Sequence, residues 1–245
     1  MFKVLKLNKN LRCIDKEFSE LLLKIGDGKI ENFIIPESWK TDDVCSKING
    51  NVNNNNIENS VILAPHNEQI DQLNSKILKL MNGKLHTYYS VDYATYKGVD
   101  KTDDNIYLKF PLETLNSIRE GLPPYKLELK IHAQVILLRN SSGGLCNGTR
   151  LNIKNLYKYN IEAVILTGGN IGSTIFIPRI TSDTEKNSCF PFKLYRKQFS
   201  IRLTFAITIN KSQGQDFENL GLYIHKPPFA PLANPRVLAL AFVKV

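Results

Sequence analysis

Between residues 121 and 182 the chain offers short β runs and no helical periodicity, and this block stands between two stretches of strand and helix patterning. The runs are Leu127 to Ile131, Val135 to Leu138, Leu151 to Leu156, Ile161 to Leu166 and Thr174 to Ile177. Ser141-Ser142-Gly143-Gly144, Asn147-Gly148 and Gly168-Gly169-Asn170 punctuate them with residues that accept tight-turn backbone. Strands this short at this spacing predict a small β-barrel. Its position predicts an insertion, 121–182, within an α/β domain made of residues 1–120 and 183–245.

The flanks support that division. Val4, Leu5 and Leu7 form a short apolar stretch, after which Asp15 can cap a helix carrying Phe18, Leu21, Leu22 and Ile25, ended by Gly26 and Gly28. Phe33, Ile34 and Ile35 before Pro36 predict a second strand. Residues 37–59, with the run Asn53 to Asn56, lose periodicity and predict a surface loop or partly disordered insertion. Val61, Ile62 and Leu63 then predict a buried strand ending at Pro65, with Asn67 as N-cap of a helix bearing Ile70, Leu73, Ile77 and Leu80 and Gly83 just past its end. Beyond the β block, Ile201, Leu203, Phe205, Ile207 and Ile209 predict one core strand. It meets a polar loop, Asn210 to Gln215, before a further strand, Leu220 to Ile224.

Composition narrows the function classes. The longest apolar run, Val237 to Val243, is far short of the roughly 20 residues a membrane-spanning helix needs. The N-terminus alternates apolar residues with lysine and has no signal-peptide core, so no membrane partner is expected and the chain is expected inside the cell, in the nucleus if its source is eukaryotic. Cys13, Cys45, Cys146 and Cys189 are scattered without Cys-x-x-Cys spacing or clustered histidines, which predicts free thiols and no metal site. Lys+Arg of 32 against Asp+Glu of 23 gives a net charge of +9. That excess suits a nucleic-acid partner bound in a salt-dependent way, although the richness in lysine and asparagine is also what coding bias produces. Tyr88, Tyr89, Tyr93 and Tyr96 lie in a mildly basic neighbourhood, where stacking on a base is worth about 1–3 kcal/mol. Ordinary packing is the expectation for most of them.

The loop after the last core strand carries the most chemistry. A strand that delivers Thr208, Asn210, Lys211 and Ser212 to a turn at Gly214 presents hydroxyl, amide and ammonium donors beside backbone N–H groups, a set suited to phosphate oxygens. The tip Pro65-His66-Asn67 lies at the carboxyl end of one strand and the amino end of a helix, where ligands of open α/β sheets gather.

Phe205-Ala206-Ile207-Thr208-Ile209-Asn210-Lys211-Ser212-Gln213-Gly214-Gln215 closely resembles the fifth motif of the Pif1-like, superfamily-one-B DNA helicases, and its asparagine before lysine looks like the branch that includes Helitron transposon helicases. Leu122-Pro123-Pro124 with Leu127-Glu128-Leu129-Lys130, Val135 to Asn140, Gly144 to Arg150, Ile177-Pro178-Arg179-Ile180 and Gln198 to Leu203 extend the resemblance in order. It implies a second RecA-like helicase domain interrupted by a small SH3-like β-barrel. It further implies that Thr208, Asn210, Lys211 and Ser212 face single-stranded DNA or the nucleotide cleft, and that Gln213, Gly214 and Gln215 form the turn beside the nucleotide. Leu7 to Arg12 looks like the fourth motif, whose arginine reaches the γ-phosphate, a role that falls to Arg12. Val61 to Glu68 resembles the tip that contacts the DNA backbone, through Pro65, His66 and Asn67.

The sequence also departs from that pattern. It holds no Gly-x-x-x-x-Gly-Lys-Ser/Thr loop: Gly28-Lys29 and Gly83-Lys84 are followed by Ile30 and Leu85 and lack the leading glycine at Leu23 and Leu78. No Walker B strand is evident. Where the family's sixth motif carries an arginine that stabilises the transferred phosphate, this chain has Phe242. The intact family uses ATP and Mg²⁺, and neither is expected to bind tightly here. The expectation is a carboxyl-terminal portion of a 5′-to-3′ DNA helicase, inactive without a first RecA-like domain, with single-stranded DNA as partner. The alternative is a non-catalytic single-stranded DNA binding or interaction module.

Overall fold

The computed structural model describes residues 16–29, 43–46, 60–96, 110–118, 121–140, 145–184, 190–213, 215, 217 and 219–223. The chain divides into two compact units, Met1–Leu73 with Ala206–Val245 and Asn74–Phe205.

In the first unit, α1 spans Lys16–Gly26. It ends as the glycines predict: Gly28 takes a φ of +70°, and the Lys29 N–H folds back onto the Lys24 carbonyl at 2.9 Å, closing the helix with a six-residue turn. Within the stretch read as a loop, residues 44–46 instead make one helical turn. The Asp43 carboxylate accepts from the Cys45 and Ser46 N–H groups at 3.0 and 3.3 Å, and the Cys45 side chain is buried. The expected strands at residues 4–7 and 33–35 lie outside the described residues.

β1 (Ser60–Ala64) is buried at every position, as a strand covered on both faces must be. It is the centre of a three-stranded parallel sheet, β11-β1-β12, with β11 at Ala206–Thr208 and β12 at Asn219–Leu222. Val61, Leu63, Ile207, Ile209 and Phe217 form its core. Gly221 pairs with Ile62, and a Cβ built there would lie 2.5 Å from Val44 Cγ2, so the capped turn at 43–46 approaches β12 because glycine leaves room. The helix after β1, α2, spans Asn67–Leu80. Its N-cap position belongs to His66, whose carbonyl accepts from the Ile70 N–H at 3.2 Å, and Asn67 is its first helical residue. Ile70, Leu73 and Ile77 are buried as the period predicts, but the buried face continues through Leu78 and Met81. Leu80 trails to the margin of that face and is exposed.

The second unit is an antiparallel sheet in the order β10-β5-β6-β7-β8-β9-β3, with a two-stranded sheet of β2 and β4. Its strands are β2 (His86–Tyr89), β3 (Val91–Tyr96), β4 (Lys126–Leu129), β5 (Gln134–Leu137), β6 (Arg150–Leu156), β7 (Asn160–Ile165), β8 (Thr174–Asp183), β9 (Phe192–Phe199) and β10 (Ile201–Leu203). All five expected runs are strands. The expected SH3-like barrel, however, is not closed: β10 and β3 are end strands, and among the described residues no pairing joins them. Nor do residues 121–182 make the sheet by themselves. β8 runs on past Ile177 and pairs with β9, which pairs with β3, while β10 pairs with β5. The continuous strand expected from Ile201 to Ile209 breaks at Thr204-Phe205: the Thr204 N–H still donates to the Gln134 carbonyl, and Ala206 already pairs with Ile62.

One buried side chain organises the end of this sheet. Arg196 on β9 is fully buried and donates from Nε and Nη2 to Asp92 Oδ2 at 2.9 and 2.7 Å. Nη1 reaches the carbonyls of Ile118 and Pro123 at 2.9 and 3.0 Å, and Nη2 those of Leu115 and Asn116 at 3.1 and 3.4 Å. Leu115 and Asn116 belong to the last turn of a short helix, α3 (Leu112–Ser117), where the Leu115 carbonyl also accepts from the Ile118 N–H at 3.3 Å. Leu115, Ile118 and Leu122 then pack on Ala94, Phe192 and Leu194.

Two stability outcomes follow. Arg196→Met removes the cation that compensates the Asp92 carboxylate and a donor from the carbonyls of Leu115, Asn116, Ile118 and Pro123, and is expected to cost about 3–5 kcal/mol by urea denaturation. Gly221→Ala must displace Val44, a β-branched side chain with little rotamer freedom, and is expected to lower stability by about 1–3 kcal/mol in the same assay.

Candidate nucleic-acid interface

Parallel pairing decides which loops meet. Ile62, Leu63 and Ala64 of β1 register with Ala206, Ile207 and Thr208 of β11, so the two strands end together, about 4.8 Å apart. The residues that follow each strand, Pro65-His66-Asn67 and Ile209 to Ser212, therefore emerge at one carboxyl edge of the sheet. The two segments are distant in sequence, and only the register makes them neighbours.

The second segment is a short 3₁₀ turn, Ile209–Ser212. Its apolar member, Ile209, is buried in the core with Val61, Leu63 and Phe217, which anchors the turn from below. Asn210 and Lys211 are consequently exposed, while Thr208 and Ser212 are half-buried. The Ser212 hydroxyl donates to the Ile209 carbonyl at 2.7 Å, the Gln215 N–H to the Ser212 carbonyl at 3.1 Å, and Gln215 Nε2 to the Lys211 carbonyl at 3.1 Å. Ser212 and Gln215 thus hold the backbone of the loop, and Asn210 and Lys211 are what it presents. Thr208 makes no side-chain capping bond. Gln213 is exposed.

Of the tip after β1, Pro65 and His66 are half-buried and Asn67 is exposed, at the start of a 14-residue helix whose N-terminal N–H groups favour anions. Sequence reading missed Gln69. It is buried two residues into that helix, with neither side-chain amide atom hydrogen-bonded. A polar residue at an otherwise apolar position of the buried face was the available signal. Arg12 and Gly214 lie outside the described residues. Among the described residues no group of three or more His, Cys, Asp and Glu side chains is placed to hold a metal ion.

Residues 113–156, which run from α3 through β4 and β5 to the end of β6, match the family model for the 2B domain of the DNA helicase Pif1. The whole structure is similar to Bacteroides Pif1 bound to single-stranded DNA, with a TM-score of 0.61 at 21% identity over 100% of this chain and 50% of that one. It is similar also to a Pif1 helicase in a study of DNA unwinding at forked duplex DNA by two coordinating Pif1 helicases, with a TM-score of 0.60 at 22% identity over 96% of this chain and 46% of that one. For Pif1 from Candida albicans the TM-score is 0.60 at 19% identity, over 94% of this chain and 52% of that one. The chain spans about half the length of these solved structures. No curated protein matches it by sequence. At these identities the likeness establishes the fold: a mixed α/β arrangement shared with part of the Pif1 helicases.

Proposed function

We propose that this chain is the second RecA-like domain, with its inserted β module, of a Pif1-like DNA helicase, and that the carboxyl edge of β1 and β11 is its contact with single-stranded DNA. The observation that carries the reading is the register Ala64 opposite Thr208, which brings Pro65, His66 and Asn67 to the same edge as Thr208, Asn210, Lys211 and Ser212. The shared fold supports it, since one of the similar structures is a Pif1 bound to single-stranded DNA. The asparagine of the loop makes the Helitron-type branch our assignment within that family.

The chemistry of the edge is that of backbone binding. Lys211 supplies charge to a phosphate, Asn210 and Thr208 supply neutral donors, and the first N–H groups of α2 supply a partial positive charge. The charge on Lys211 and the helix N-terminus act on the backbone whatever the base. The described part of this edge offers amides at Gln213 and Gln215 but no phosphate cradle, and no described carboxylate cluster is placed for magnesium. The lack of a Walker A loop in this sequence and Phe242 in place of the sixth-motif arginine support a chain that contributes one wall of an ATP cleft and does not turn over ATP by itself.

The test is anisotropy with a labelled single-stranded oligonucleotide across a salt series. Affinity should fall as salt rises, and Lys211→Ala should weaken it for every sequence while reducing the logarithmic salt slope by about 1. Equal affinity for wild type and variant at low salt would remove the edge from the interface. In a coupled ATPase assay the purified chain is expected to show no DNA-stimulated turnover; turnover abolished by Arg12→Ala would overturn the one-wall reading.

A further inference from the structure

The four tyrosines singled out in the sequence have different fates: Tyr89 is exposed and lies tilted against Tyr125, with ring centres 5.8 Å apart. Tyr88 is buried, edge-on to Phe199 at 5.1 Å with the Arg179 guanidinium over both rings, and Tyr96 packs on the α3 core. Tyr93 is different. It is 39% exposed, on the face of β3 opposite Asp92 and the buried Arg196.

That outer face is built across three strands. Asp183, Tyr195 and Tyr93 form one row and Thr181, Lys197 and Val91 the next, with Val91 62% exposed and Lys197 and Thr181 also exposed. The rings of Tyr93 and Tyr195 lie 4.6 Å apart and within 7° of parallel. Because adjacent strands are themselves about 4.8 Å apart, the rings stand upright on the sheet and stack along the direction in which the strands follow one another. Lys193 Nζ sits 4.9 Å from the centre of the Tyr195 ring and is bonded to Asp183 at 2.5 Å. The stack therefore has a cation at one end. At its other end is Tyr93, on a strand that closes the order of the described sheet.

The charge of this face selects the occupant. Its carboxylate, Asp183, is engaged by Lys193 and lies 3.9 Å from Arg139, while Lys197 has no ion pair among the described residues. Three cations thus face one anion, beside an aromatic ring that is open to solvent. We infer that Tyr93 and Tyr195 form a base-stacking platform for single-stranded nucleic acid, in which a base continues the ring stack on Tyr93 and Lys197 meets the adjoining phosphate. This rests on the nucleic-acid reading above but uses a different unit of the chain and a different kind of contact, π stacking rather than phosphate binding.

The experiment uses the full chain, a labelled oligothymidylate and an abasic strand of equal length. Y93L/Y195L, which keeps an apolar cross-strand pair, is expected to weaken oligothymidylate binding at least fivefold and to leave the abasic strand unchanged, while Tyr93→Phe keeps wild-type affinity for both. Lys211→Ala, by contrast, should weaken both strands alike. Should the double variant lose its circular-dichroism melt, Tyr93→Leu alone, at an exposed side chain, carries the same comparison. Equal losses on both strands, or none, overturn the platform. Binding that responds to Lys211→Ala but not to Y93L/Y195L removes the platform and keeps the proposed edge; a wild-type chain that binds neither strand removes both.

Discussion

The antiparallel unit depends on a guanidinium taken entirely out of water. A charge in that position is tolerable only when its donors are satisfied, and Arg196 spends them on Asp92, on the carbonyls of Leu115, Asn116 and Ile118, and on Pro123. These acceptors lie on strand β3, at the end of α3 and in the segment that follows it. The planar fork of arginine lets one side chain serve strand, helix and turn together, which an ammonium group cannot do. Gln198, two residues further along the same face, repeats the device on a smaller scale: its Nε2 donates to the Tyr88 and Tyr125 carbonyls at 3.0 and 3.2 Å. β9 is thereby held from inside, with Lys193, Tyr195 and Lys197 left on the other face of the strand.

The two units solve burial differently, and their surfaces follow from that. In the parallel sheet the central strand is apolar on both faces, so polar residues are confined to the ends of the strands. The site of such a sheet is its edge, built by loops on a rigid frame. In the antiparallel sheet burial alternates along much of β9, so one face goes to the core and the other carries tyrosine and lysine. The proposed edge and the proposed ring face thus differ in chemistry, one offering donors to phosphate and the other a π surface to a base.

Much of this was legible in the residues. The strand Val61 to Leu63, the helix after it, the turn at Gly28 and all five β runs between 121 and 182 are visible because each is a local pattern of burial and turn chemistry. Other features were not. The strand from Val91 to Tyr96 is not among the expected elements, since exposed tyrosines mask its period. The apolar period from Ile201 to Ile209 predicts one strand, but the chain leaves one sheet at Thr204 and enters another at Ala206, and a local period does not record which strand is the partner. Closure of the β block into a barrel was inferred from strand count, but closure is decided by which strands pair, and β8 continues far enough to recruit β9 and through it β3.

Local sequence marks the strand Val61 to Leu63, the helix after it, the five β runs and the residue types offered at each tip, because φ/ψ preference and hydrophobic period are properties of a few neighbouring residues. Tertiary structure alone decided the partners. The register of β1 with β11 made one edge of Asn67 and Lys211, burial against α3 made Arg196 interior and Tyr195 exterior, and the end position of β3 left a ring of Tyr93 beside open solvent. These are matters of pairing between distant segments, and they are set by the free energy of assembling the whole core, which no short stretch of residues records.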